Sequence, residues 1–142
     1  MKNTRRILSF TLIVVTLFML VSCSTFGNVK KNFEQNGYTY IELDEDNSYV
    51  KTITAELEQG ELSCTLHLFS KNGTILLPTL ALVLEFNTDK DLQKAISEDG
   101  SETLKGFLKD AQTSDFVNGN CLLFPLSLNK NDINEMVEIF NK

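Results

Sequence analysis

Residues 61–69 read ELSCTLHLF, and residues 79–86 read TLALVLEF. In the first stretch Leu62, Cys64, Leu66 and Leu68 alternate with Ser63, Thr65, His67 and Phe69. Side chains of an extended chain point to opposite faces in turn, so a period of two predicts a strand with one buried face. In the second stretch Leu80, Leu82, Leu84 and Phe86 fall on one side. Pro78 precedes it; proline cannot donate to a sheet ladder and so marks an edge, a bulge or a break. Upstream, residues 49–57 alternate in the same way, with Ile53, Ala55 and Leu57 against Thr52, Thr54 and Glu56. Gln59-Gly60 lies between the two runs, and the spacing predicts a hairpin of 49–57 with 61–69.

Outward from that pair the remaining elements follow. Residues 28–35 read as a short helix, with Val29 and Phe33 four apart, closed by Asn36-Gly37. YTYIEL at 38–43 is a β-rich first strand, followed by the acidic loop Asp44-Glu45-Asp46-Asn47-Ser48. After residue 87 the period changes. Thr88 with Asp91 forms an N-cap signal, and Leu92, Ala95 and Ile96 share a helical face. Asp99-Gly100 breaks the run, and Ser101 caps a second piece with Leu104, Phe107, Leu108 and Ala111, weakened by Gly106. Asn118-Gly119 is a turn, and CLLFPLSL at 121–128 is apolar on both faces up to Pro125, as in an interior strand. Residues 133–140 form a closing helix through Ile133, Met136, Val137 and Phe140. The order predicts an α+β fold, a mostly antiparallel sheet of about five strands with helices packed on one face. The other face is expected to be partly open, presenting Thr52, Thr54, Thr65, His67 and Phe69 as a candidate binding face beside Glu56, Val83 and Glu85.

The first 23 residues, MKNTRRILSFTLIVVTLFMLVSC, carry a different message. Lys2, Arg5 and Arg6 precede an uncharged run of 15 residues from Ile7 to Val21. That length suits a signal peptide and falls short of the roughly 20 apolar residues of a membrane span. The run closes on Leu20-Val21-Ser22-Cys23, which resembles the lipobox of bacterial prolipoproteins cut by a type II signal peptidase. The resemblance implies a diacylglyceryl group on Cys23, cleavage just before it, and a protein held by lipid on the extracytoplasmic side of the cell membrane, or at an outer membrane where one exists. The organisation that follows is a signal peptide at 1–22, an acylated Cys23 with a short polar tether to residue 28, and one domain at 29–142. An uncleaved membrane helix is the alternative. The overall layout also resembles, loosely, small uncharacterised lipoproteins of low-GC Gram-positive bacteria.

The leader holds three of the 13 basic residues and none of the 19 acidic ones, so the remaining 120 residues carry ten basic groups against 19 acidic, a net charge of −9. Such a domain is repelled by nucleic acid and by an anionic bilayer. Beyond Cys23 only Cys64 and Cys121 remain. Outside the cytoplasm a disulfide between them is permitted, and two strand thiols are equally well small core residues.

Catalytic patterns are sparse. His67 is the only histidine. A general base needs an oriented partner and a nucleophile, and only Glu56 or Glu85 offers itself as a partner. One His with two distant Cys is a poor zinc set. Asp44, Asp46 and Ser48 begin like a calcium loop, but the sixth and twelfth positions hold Tyr49 and Ala55 where Gly and Glu are needed. Phosphate loops and nucleophile elbows are absent. No metal or cofactor is expected. The sequence therefore predicts a non-enzymatic lipoprotein that binds an envelope protein or a small ligand. A small envelope enzyme built on His67 and a carboxylate is the alternative, and a protein that self-associates through residues 75–84, Ile75 to Leu84, is a third.

Overall fold

The computed structural model describes residues 25–43, 51, 55, 63–71, 79–97, 104 and 113–142. The chain runs through helix α1 (Thr25–Gln35), strands β1 (Thr39–Ile41), β2 (Cys64–Lys71) and β3 (Thr79–Phe86), and helix α2 (Asp89–Ile96). A 3-10 turn (Thr113–Phe116), strands β4 (Val117–Asn118) and β5 (Cys121–Leu126), and helix α3 (Lys130–Phe140) complete it. The strands form one sheet in the order β1-β2-β3-β5-β4, antiparallel at every pairing. The α+β class and the five-stranded antiparallel sheet match the sequence expectation.

Local chemistry sets the element ends. α1 stops at Gly37, whose φ of 85° suits a residue without Cβ. There the Tyr38 amide reaches the Phe33 carbonyl at 3.0 Å and the Gly37 amide the Glu34 carbonyl at 3.2 Å, which satisfies two of the last helix acceptors. Tyr38 also packs its ring edge on Phe33 with centroids 5.1 Å apart, the apolar contact that accompanies this cap. α2 starts at Thr88, whose side chain accepts from the Asp91 amide, as the sequence spacing implies. α3 starts at Asn129, and Asp132 in its first turn accepts from Thr79 at 3.2 Å and Ser127 at 3.0 Å. That contact ties the helix N-terminus to the start of β3.

Both sheet faces are in use. α1 and α3 share one face, where Val29, Phe33, Met136, Ile139 and Phe140 pack on Phe69, Ala81, Val83, Cys121 and Leu123. α2 lies against the other, where Leu92 and Ala95 meet Leu84, Phe86 and Leu122, joined by Leu104. The face covered by the two long helices is the one expected to be open: Phe69 and Val83 are wholly buried and His67 is 6% exposed. Alternation assigns residues to a face but does not say which face a distant helix will cover. Phe69 and Val83, apolar residues on the supposedly wet side, were the sign that it is covered.

The expected 49–57 strand is also corrected. Lys51 and Ala55 are helical, and the rest of that run, with Thr52, Thr54 and Glu56, lies outside the described residues. Ile53 and Leu57 are four apart as well as on one alternation, so a short run fits either period. β2 pairs instead with the three-residue β1, placing Tyr40 opposite Phe69.

The turn between β4 and β5 holds a tight contact. Gly119 has φ 56°, and a Cβ there would sit 2.6 Å from Oγ1 of Thr25, the first residue of α1. Gly119→Ala is expected to destabilise the protein by at least about 1–2 kcal/mol, the backbone cost of a left-handed residue, with the displaced Thr25 adding to it. Urea unfolding checks this; an unchanged midpoint contradicts it.

Candidate functional site

The only histidine sits at the centre of a diagonal across three strands. His67 on β2 stands opposite Val83 on β3, and Glu85 is two residues further along β3. Tyr40 on β1 stands opposite Phe69, two residues beyond His67 on β2. Steps of two keep all three side chains on one face, within the diagonal reach of long side chains. His67 Nε2 lies 3.0 Å from Glu85 Oε2, and Nδ1 lies 3.1 Å from the Tyr40 hydroxyl.

The tautomer follows from donor chemistry. A carboxylate only accepts, so Nε2 carries the proton and donates it to Glu85. In the neutral ring Nδ1 is then an acceptor, and Tyr40 donates to it. Above this line α1 supplies a cover. The Phe26 ring stacks on His67 with centroids 3.5 Å apart and planes inclined by 16°. Lys30, one turn further along α1, holds its ammonium 4.3 Å from the centre of the Tyr40 ring.

Burial lowers the His67 pKa below 6.5; the hydrogen bond and charge of Glu85 oppose that, nearby Lys30 reinforces it, and burial prevails. Burial, then the charges of Glu42 and Glu85, raises the Tyr40 hydroxyl above its ordinary value. Tyr40 therefore stays a phenol that donates rather than a phenolate that attacks. A His within reach of a carboxylate meets the geometric condition for a general base. Here, however, the second ring nitrogen is taken by Tyr40 and one ring face by Phe26, and the His67 side chain is only 8% exposed. The arrangement holds three strands and a helix in register.

The sequence-predicted residues are distributed as follows. His67 and Glu85 come together. Phe69 is not a contact surface: it is fully buried and stacks on Phe33 with centroids 4.8 Å apart. Thr65 is exposed at the start of β2, opposite Glu85. Thr52, Thr54, Glu56 and Cys23 lie outside the described residues. Tyr40 and Phe26 were missed. Phe26, Val29 and Phe33 follow the i, i+3, i+7 spacing of one helical face, which was the available signal. Nothing in the sequence links Tyr40 to a residue 27 positions away.

Cys64 and Cys121 are free. Cys64 pairs with Phe86 and Cys121 with Glu85, adjacent residues that point to opposite faces, so the two thiols stand on opposite sides of the sheet. The permitted disulfide is therefore not formed. Among the described residues no group of three or more His, Cys, Asp or Glu side chains is placed to hold a metal ion. No family model, curated protein or solved structure matches the chain.

Two outcomes follow from the titrations. The folded protein resists protonation of His67 while the unfolded chain takes the proton near the ordinary value. This part of the stability is present above about pH 6.5 and is lost as pH falls below it. Urea midpoints measured between about pH 7.5 and pH 5.5 should fall for wild type, with a shallower slope in His67→Gln; parallel profiles contradict this. Burial pushes both thiols up to about 12. At about pH 8, Cys64 and Cys121 should resist alkylation in the folded protein and react once it is unfolded in urea, read peptide by peptide.

Proposed function

We propose that the chain is a lipoprotein held at the extracytoplasmic side of a membrane by acyl chains on Cys23, and that its folded domain binds rather than catalyses. The observation that carries this reading is the start of α1 at Thr25, two residues after the Cys of the Leu20-Val21-Ser22-Cys23 box. Within the expected tether, residues 25–28 are helical, and Ser24 lies outside the described residues. Phe26 then packs over His67, so the anchored end of the domain is fixed to its core within three residues of the lipid. Two or three acyl chains give a lasting anchor, at about 0.8 kcal/mol per buried CH2. Among the described residues no helix is long and apolar enough to cross a membrane.

The binding reading rests on the closure of His67. Glu85 at 3.0 Å favours the enzyme alternative, but the covered ring and the raised Tyr40 hydroxyl weigh against it. Self-association through residues 75–84 has less support, because β3 is an interior strand with Ala81, Val83 and Leu84 buried. Cys23→Ala is expected to abolish incorporation of a fatty-acid analogue and to leave the uncut precursor. Label retained on the variant overturns the lipoprotein reading.

A further inference from the structure

A groove of about 520 Å3 lies between α1 and the C-terminal end of α3, away from His67. Every residue lining it has a polar side chain, two of them are lysines, and none is a carboxylate. This is the opposite of the domain as a whole, whose net charge is −9 once the three basic residues of the leader are set aside.

Two kinds of group face the groove. From α1 come Asn28, Lys31, Asn32 and Gln35. Among the described residues, none of these four has a side-chain hydrogen bond or ion pair within the protein. Asparagine is a poor helix former, so placing Asn28 and Asn32 one turn apart lowers the stability of α1 relative to Ala or Lys at those sites. From the other wall come Asn118 and Asn141, whose amide nitrogens are committed. Asn118 donates to the Phe140 carbonyl at 2.7 Å, and Asn141 to the carbonyls of Asp115 at 2.8 Å and Val137 at 2.9 Å. Asn141, with both N–H groups used, keeps only its side-chain oxygen, an acceptor held in place, and Asn118 keeps its oxygen and one N–H. The Lys142 ammonium lies 3.4 Å from the Asn36 side-chain oxygen, which holds the second cation at the rim.

We propose that this groove binds a polyol phosphate. The oriented oxygens of Asn118 and Asn141 suit hydroxyl groups, while the free amide donors and Lys31 of α1, with the Lys142 ammonium at the rim, suit a phosphate. Thr25, two residues from Cys23, lines the same groove. The phosphate-bearing polyol can come from a membrane lipid headgroup or be free in solution. The lipid source rests on the lipoprotein reading; the groove chemistry does not.

The test uses the full chain in a neutral detergent, followed by NMR of the side-chain amides of Asn28, Asn32 and Gln35. The free probe is sn-glycerol 3-phosphate, with inorganic phosphate and glycerol as controls. The lipid probe is dihexanoyl phosphatidylglycerol, against dihexanoyl phosphatidylcholine. Saturable shifts with sn-glycerol 3-phosphate support a soluble source, and shifts with phosphatidylglycerol alone support the lipid source. The double variant Lys31→Glu/Lys142→Glu should weaken binding about tenfold or more, while Lys130→Glu, outside the groove, should not. Binding of sn-glycerol 3-phosphate should survive Cys23→Ala, which separates failure of the groove from failure of the anchor. No saturable shift with either probe, or inorganic phosphate bound as well as sn-glycerol 3-phosphate, overturns the proposal.

Discussion

A buried imidazole is tolerated only when both nitrogens find partners, because each unpaired polar atom away from water costs about 1–3 kcal/mol. Tyr40 and Glu85 provide those partners for His67 from the two neighbouring strands. The geometry constrains more than the ring. A one-residue slip of β1 or β3 against β2 would send the partner to the other face and leave His67 unpaired. The three-residue β1 has little ladder of its own, so its register depends on Tyr40 and on the cap that joins it to α1. Phe26 completes the enclosure and makes the first turn of α1 part of the same unit.

That unit lies next to the position where the lipobox-like stretch ends. α1 is fixed at its start by Phe26 over His67 and by Thr25 against Gly119, and at its end by the Gly37 cap with Tyr38 on Phe33. The same helix turns Val29 and Phe33 into the core and leaves Asn28, Lys31, Asn32 and Gln35 along the polar groove. One element thus connects the proposed anchor, the core and the proposed ligand groove. The His67 cluster packs against the first turn of α1, and the proposed ligand groove runs along Asn28, Lys31, Asn32 and Gln35 of the same helix.

Much of the fold is legible in the sequence because local signals agree with it. β3 has the bounds that its alternation predicts, Thr88 and Asp91 form the cap their spacing implies, and the turn expected at Asn118-Gly119 falls one residue later, at Gly119-Asn120, with Asn118 closing β4. α3 buries Met136 and Phe140 from the predicted face. The two-sided use of the sheet was not legible in the same way. It depends on where α1 and α2 pack, and only Phe69 and Val83 on the polar alternation hinted at it. The site was half legible: Glu85 is an evident partner for His67 once the strands are paired, whereas Tyr40 depends on the register of β1, which local pattern does not specify. The groove brings together residues from both ends of the described chain, and no spacing rule connects Asn28 with Asn141.

The most direct test of the closed His67 unit is a long-range nitrogen–proton NMR correlation of the imidazole, which is unambiguous because the chain has one histidine. At neutral pH the account predicts a single fixed tautomer, protonated at Nε2 and unprotonated at Nδ1, that takes its second proton at lower pH than an ordinary histidine, near 6.5. Averaged signals from both nitrogens, titrating like a solvent-exposed histidine, would contradict it.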